Sequence, residues 1–208
     1  MNWSDLQLKI RQQPLNDLAK QLLDIQNPVA FRKNPEHYRR LQTHLREKLG
    51  LDNSDEIRLI GSGLTGFSLG PENAGAPYSV NSDIEVVIIS ARLFEQVWTN
   101  LLRWRYPWHV RKFPKRMSDW AKEVAENTFA GSIDPMALKY PTISGRKHVP
   151  TTQTFVSAWF SAFKSIATIP ELAGYDIVGR LYRSKEHLLL YQQFGLERIR
   201  SKLPQNME

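Results

Sequence analysis

Leu15, Leu18, Leu22 and Ile25 recur at intervals of three and four, the spacing of one helical face, and predict a helix beginning after Pro14. Asn27-Pro28 ends it, because the residue before a proline is pushed out of helical geometry. The same spacing in Tyr38, Leu41, Leu45 and Leu49 predicts a second helix from Pro35 to Leu49, with Gly50 where a left-handed C-cap belongs. The period then changes. Ile57-Arg58-Leu59-Ile60 is short and β-prone and runs into Gly61-Ser62-Gly63, which predicts a strand ending in a tight turn. A loop from Phe67 to Asn81, rich in Gly, Pro, Ser and Asn, leads into Asp83-Ile84-Glu85-Val86-Val87-Ile88-Ile89. This β-branched run predicts a strand buried on both faces, paired with the first at the centre of a sheet.

Helical spacing returns in Leu93, Val97, Leu101 and Trp104, predicting a helix from about Arg92 to Trp104 that stops at Tyr106-Pro107. Residues 118–130 read as another helix with Ser118 as N-cap. Ala130 to Thr152, which holds Gly131, Pro135, Pro141, Gly145 and Pro150, reads as a long surface loop. Phe155 to Ile166 is apolar and aromatic, a buried helix stopped near Pro170, and 176–183 has strand character. Ser184 is placed to cap a final helix from Lys185 to Leu203. The expected architecture is α+β: a small mixed central sheet flanked by helices, in a single domain of 1–208, with 1–52 a helical extension and 53–208 the core.

Composition narrows the chemistry. The 208 residues suit one core, and a 41% hydrophobic, 24% charged composition is that of a folded chain. There is no cysteine, so disulfides, thiolate metal sites and a cysteine nucleophile are excluded. The five histidines, His37, His44, His109, His148 and His187, show no compact metal-ligand spacing. Met1-Asn2-Trp3-Ser4-Asp5-Leu6 does not read as a signal peptide, and every apolar run is broken well short of the roughly 20 residues that span a bilayer. A cytoplasmic protein with no membrane partner is expected. Lys and Arg outnumber Asp and Glu by 28 to 21, for a net charge of +7, which favours polyanionic partners such as nucleotides and nucleic acids.

Against that background the segment 57–90 carries the densest chemistry. Residues two apart on a strand point to one face, so Asp83 and Glu85 project together from the start of theirs. Two adjacent carboxylates suit a divalent cation such as Mg²⁺, which takes oxygen ligands and completes its shell with substrate phosphates. A turn of Gly61, Ser62, Gly63 and Gly66 lets backbone N–H groups and a hydroxyl approach a triphosphate closely.

The order strand, Gly61-Ser62, Gly66, then Ser82-Asp83-x-Glu85 on the next strand resembles the nucleotidyltransferase superfamily, the fold of polymerase-β-like enzymes. The resemblance covers about residues 57–90. It implies that Ser62 contacts phosphates, with Gly61, Gly66 and Ser82 beside it as substrate-binding positions, and that Asp83 and Glu85 hold Mg²⁺ (or Mn²⁺). It also implies a third carboxylate on a later strand, for which Asp176 is the first candidate and Asp134 the second. The long connection from Ser62 to Asp83 reads as a loop insertion, which costs little closure entropy. Arg180, on the same late strand, is a candidate phosphate ligand, since guanidinium binds phosphate oxygens bidentately.

Two further motifs compete. Arg103, Arg105, Arg111, Lys112, Lys115 and Arg116 surround Trp104, Tyr106 and Trp108, the mixture of cations and aromatics that single-strand binders use; a core role for the aromatics with solvated charges is equally compatible. Gly66-Phe67-Ser68-Leu69-Gly70 spells the Gly-x-Ser-x-Gly pattern of hydrolases, but no strand directly precedes it and Pro71, Gly75 and Pro77 follow it. The expected function is a metal-dependent transferase that uses a nucleoside triphosphate and a nucleic-acid, protein or small-molecule hydroxyl acceptor. The alternative is a non-catalytic nucleic-acid-binding or regulatory module of the same fold.

Overall fold

In the computed structural model, residues 2–70, 72–106, 115–138 and 149–204 are described, with only the backbone given for 115–120 and 150. Among the described residues one mixed four-stranded sheet organises the fold. Strand β1 (Glu56–Ile60) pairs antiparallel with β2 (Ile84–Ile89), β2 pairs parallel with β4 (Ile177–Tyr182), and β4 pairs antiparallel with the two-residue β3 (Ser132–Ile133). Fold class and central strand pair agree with the sequence reading.

Alternation along β2 divides the core. Ile84, Val86 and Ile88 join a cluster with Leu41 and Leu45 of α3 (Pro35–Leu49), Phe94 and Val97 of α5 (Ala91–Arg105), and Val156 and Trp159 of α8 (Gln153–Ser165). Val87 and Ile89 point the other way, packing with Tyr182, with Leu23 of α2 (Leu15–Leu23) and with Leu188 of α9 (Lys185–Lys202). A further cluster joins Leu18 and Leu22 of α2 and Leu196 and Ile199 of α9 to Leu6 and Ile10 of α1 (Trp3–Gln12). Each such large apolar side chain, fully buried, contributes roughly 1.5–3 kcal/mol. Gly179 is required where α8 meets the sheet, because a Cβ there would collide with the Phe163 ring.

Local signals explain most boundaries. Gly50 closes α3 in the left-handed region at φ 59°. Ser90 caps α5 by accepting from the Leu93 N–H, and Ser184 caps α9 by accepting from the His187 N–H. Other expectations need correction. Gly61-Ser62-Gly63 is not only a turn: it opens a short helix, α4 (Gly61–Thr65), closed by Gly66 at φ 93°. Helix α6 (Lys115–Phe129) starts before Ser118, which lies in its first turn and is not its N-cap. The expected 130–152 loop contains β3 and the one-turn helix α7 (Pro135–Leu138). Helix α1, which lies outside the predicted elements, is held by a capping box between Asn2 and Asp5. No helix among the described residues is long and apolar enough to cross a membrane.

Candidate functional site

The antiparallel register pairs Ile60 with Glu85, so the turn that follows β1 lies beside the start of β2. Gly61 takes φ 65°, and a Cβ on it would lie 2.6 Å from Glu85 Oε1. The carboxylate and the glycine turn are therefore in contact only because residue 61 has no side chain. A cleft of about 630 Å³ opens here, and Gly61, Ser62, Ser82, Asp83, Glu85 and Asp176 all line it. Asp176 arrives through the parallel ladder, where the Ile84 N–H donates to the Asp176 carbonyl at 2.7 Å. Residues separated by more than a hundred positions thus share one wall.

Electrostatics single out Glu85. Burial raises its pKa above the ordinary carboxylate value, the neighbouring Asp83 raises it further, and Arg180 opposes both. Two hard-oxygen donors that repel each other in a partly desolvated setting fit a divalent cation, whose charge would relieve both effects. Among the described residues no three His, Cys, Asp or Glu side chains lie close enough to hold an ion together. The protein's share of a Mg²⁺ shell would thus be the Asp83 and Glu85 pair, with substrate phosphates and water completing it.

The remaining candidates are placed as follows. Gly66 does not line the cleft; its N–H donates to the Ser62 carbonyl and its own carbonyl accepts from the Tyr78 N–H, which shapes the turn and tethers the following loop. Arg180 lies in the ladder beside Val87, two residues beyond the Val178–Glu85 pair and so on the same face. It opens onto a second cavity of about 340 Å³, with Asp134, Met136 and Val178. Its guanidinium is 3.8 Å from Asp134 Oδ2, beyond hydrogen-bonding range, and 5.8 Å from the Tyr191 ring. Asp134 belongs to this second cavity, not to the first. Ile60, Asp83 and Glu85 border both cavities and form the partition between them.

Of the basic-aromatic segment, Arg103 and Arg105 lie in the last turn of α5, and Trp104 packs against the core. Tyr106 is exposed. Arg111, Lys112 and Trp108 lie outside the described residues, as do the side chains of Lys115 and Arg116. Ser68, the hydrolase-like serine, sits in the 67–81 loop and its hydroxyl donates to Asn73 Oδ1, which agrees with a loop role.

The opposite wall of the cleft was not anticipated. Tyr191, Gln192, Phe194, Gly195 and Arg198 of α9 line it. Leu188, Gln192, Leu196 and Ile199 are the buried residues of that helix, and Tyr191, Gly195 and Arg198 fall on a second stripe at intervals of four and three. Aromatic residues repeating off the apolar stripe, around an interior glycine, are the sequence signal that marks them.

No family model matches the chain, and neither curated proteins nor solved structures gave a match.

Proposed function

We propose that the chain is a metal-dependent nucleotidyltransferase that moves a nucleoside monophosphate from a nucleoside triphosphate to a hydroxyl acceptor. The meeting of Gly61 and Ser62 with Asp83 and Glu85 in one cleft carries this reading. Phosphates and paired carboxylates do not share a site without a cation between them, and this cleft pairs an acidic edge with a glycine-serine turn suited to phosphate oxygens.

In the reaction the acceptor oxygen forms a bond to the α-phosphorus. The bond from that phosphorus to the bridging oxygen breaks, and pyrophosphate leaves with the electron pair. Ser62 and the turn hold the triphosphate tail, and Asp176, exposed at the cleft mouth, takes the acceptor proton. Asp83 and Glu85 would hold Mg²⁺ or Mn²⁺, which neutralises charge on the phosphates when bound. The chain's own contribution is orientation and fixed electrostatics.

Thermal shift with ATP, GTP, CTP and UTP in the presence of Mg²⁺ or Mn²⁺ tests the reading on wild type and Asp83→Ala. A metal-dependent rise in Tm that the variant loses is expected. No shift with any nucleotide, or an undiminished shift in Asp83→Ala, removes the carboxylate site.

A second reading keeps the cleft for binding or regulation without transfer. It is favoured by β4, which presents Val178 and Arg180, not acids, on the face beside Glu85. Nucleotide-dependent stabilisation with no pyrophosphate release over a broad range of acceptors would select it.

A further inference from the structure

Packing within the chain explains the α9 wall of the cleft only in part: the Tyr191 ring lies 5.9 Å from the Tyr182 ring and 5.8 Å from the Arg180 guanidinium, yet much of the wall stays open to solvent. Phe194 is 63% exposed and Tyr191 46% exposed, although both lie on a helix whose apolar side is already buried against α1, α2 and the sheet. Gly195 sits between them and Arg198 in the interior of an 18-residue helix, where glycine is a poor choice relative to alanine. Its φ is not positive, and a Cβ there would meet nothing within 4 Å. Neither backbone conformation nor packing within the chain calls for glycine. What it does is keep one stretch of the helix surface bare where that surface faces the phosphate turn across the cleft. The Arg198 guanidinium stands 6.0 Å from the Phe194 ring centre, adding a cation to the aromatic edge.

We infer that Tyr191, Phe194 and Gly195 form the nucleobase subsite, with the base lying over the bare helix surface at Gly195 and its faces against the two aromatic rings. This rests on the reading of the Gly61-Ser62 turn as the triphosphate site, and it fixes the direction in which the nucleotide lies: phosphates against the sheet edge, base against α9. Arg198 stands at the aromatic end of the same wall. The recognition is by stacking and shape, which every base satisfies, so broad nucleotide tolerance follows. Gln192, almost fully buried yet lining the cleft, offers one amide as donor and acceptor for a base edge.

The test compares Mg²⁺-ATP with Mg²⁺-tripolyphosphate, which has the phosphates and no base, by calorimetric titration of wild type, Phe194→Ala and Gly195→Leu. Wild type is expected to bind ATP at least about 5-fold tighter than tripolyphosphate, the lower end of what stacking one base contributes. Gly195→Leu fills open space and leaves the unliganded Tm no lower than that of wild type, yet it brings ATP affinity down to that of tripolyphosphate, whose own affinity is unchanged. Phe194→Ala gives a smaller loss in the same direction. Equal affinity of wild type for the two ligands, or undiminished ATP binding by Gly195→Leu, overturns the base subsite while leaving the phosphate site in place. If wild type binds neither ligand, the phosphate reading itself falls and takes this one with it.

Discussion

Gly61 and Glu85 touch across the β1–β2 pair: a Cβ on Gly61 would stand 2.6 Å from Glu85 Oε1, and the glycine holds φ 65°. Two independent constraints therefore exclude a side chain at 61. One is the left-handed backbone and the other is the carboxylate in front of it.

Gly61→Ala accordingly costs about 1–3 kcal/mol for the backbone conformation alone, and it pushes the Glu85 carboxylate out of line with Asp83. Thermal unfolding is expected to show a Tm lowered by several degrees, together with loss of the metal-dependent nucleotide shift. A variant with wild-type Tm and wild-type nucleotide response would show that the contact is not maintained in solution.

Glu85 also predicts a pH dependence. Burial, then repulsion from Asp83, raises its pKa above the ordinary 4.5, so the folded chain binds this proton more tightly than the unfolded chain does. Stability is lost as pH rises from that ordinary value through the raised one, and it stays lower above it. Glu85→Gln removes the charge and is expected to be more stable than wild type at pH 7 by about 0.5–2 kcal/mol, the usual gain from a single stabilising substitution. The advantage shrinks as pH falls toward 4.5. Denaturant unfolding at several pH values reads it directly, and a variant less stable than wild type at neutral pH contradicts the assignment.

Gly179, on β4 beside Val86, tests the other face of the same sheet. Trp159 and Phe163 stack on each other with ring centres 5.0 Å apart and cover the backbone of β4 where residue 179 lacks a side chain. Gly179→Val forces both rings off the sheet, at a cost of about 1–3 kcal/mol for overpacking. Near-ultraviolet circular dichroism and unfolding midpoint should fall together. An unchanged aromatic signal would mean that α8 does not seat on the sheet in this way.

The hydrophobic pattern carried the elements because burial repeats with the period of the backbone. Leu41 and Leu45 at helical spacing, and the unbroken run from Val86 to Ile89, leave little choice of structure. Capping chemistry was legible for the same local reason, as Gly50 and Ser184 each act within one turn of themselves. Helix α1 escaped because its buried face is reduced to Leu6 and Ile10, and β3 because two residues carry no period at all. Asp83 and Glu85 were legible as a pair from their spacing of two, although Asp83 stands one residue before β2 begins. Their meeting with Ser62 depended on the Ile60–Glu85 register, and their meeting with Asp176 depended on β4 pairing parallel to β2. The α9 wall depended on how that helix docks. Local sequence determined which segments are helix and strand and which side chains each displays, because those choices are decided over a few residues. Only the tertiary structure decided which displayed side chains face one another, because strand order, register and helix docking are set by contacts between residues far apart in the chain.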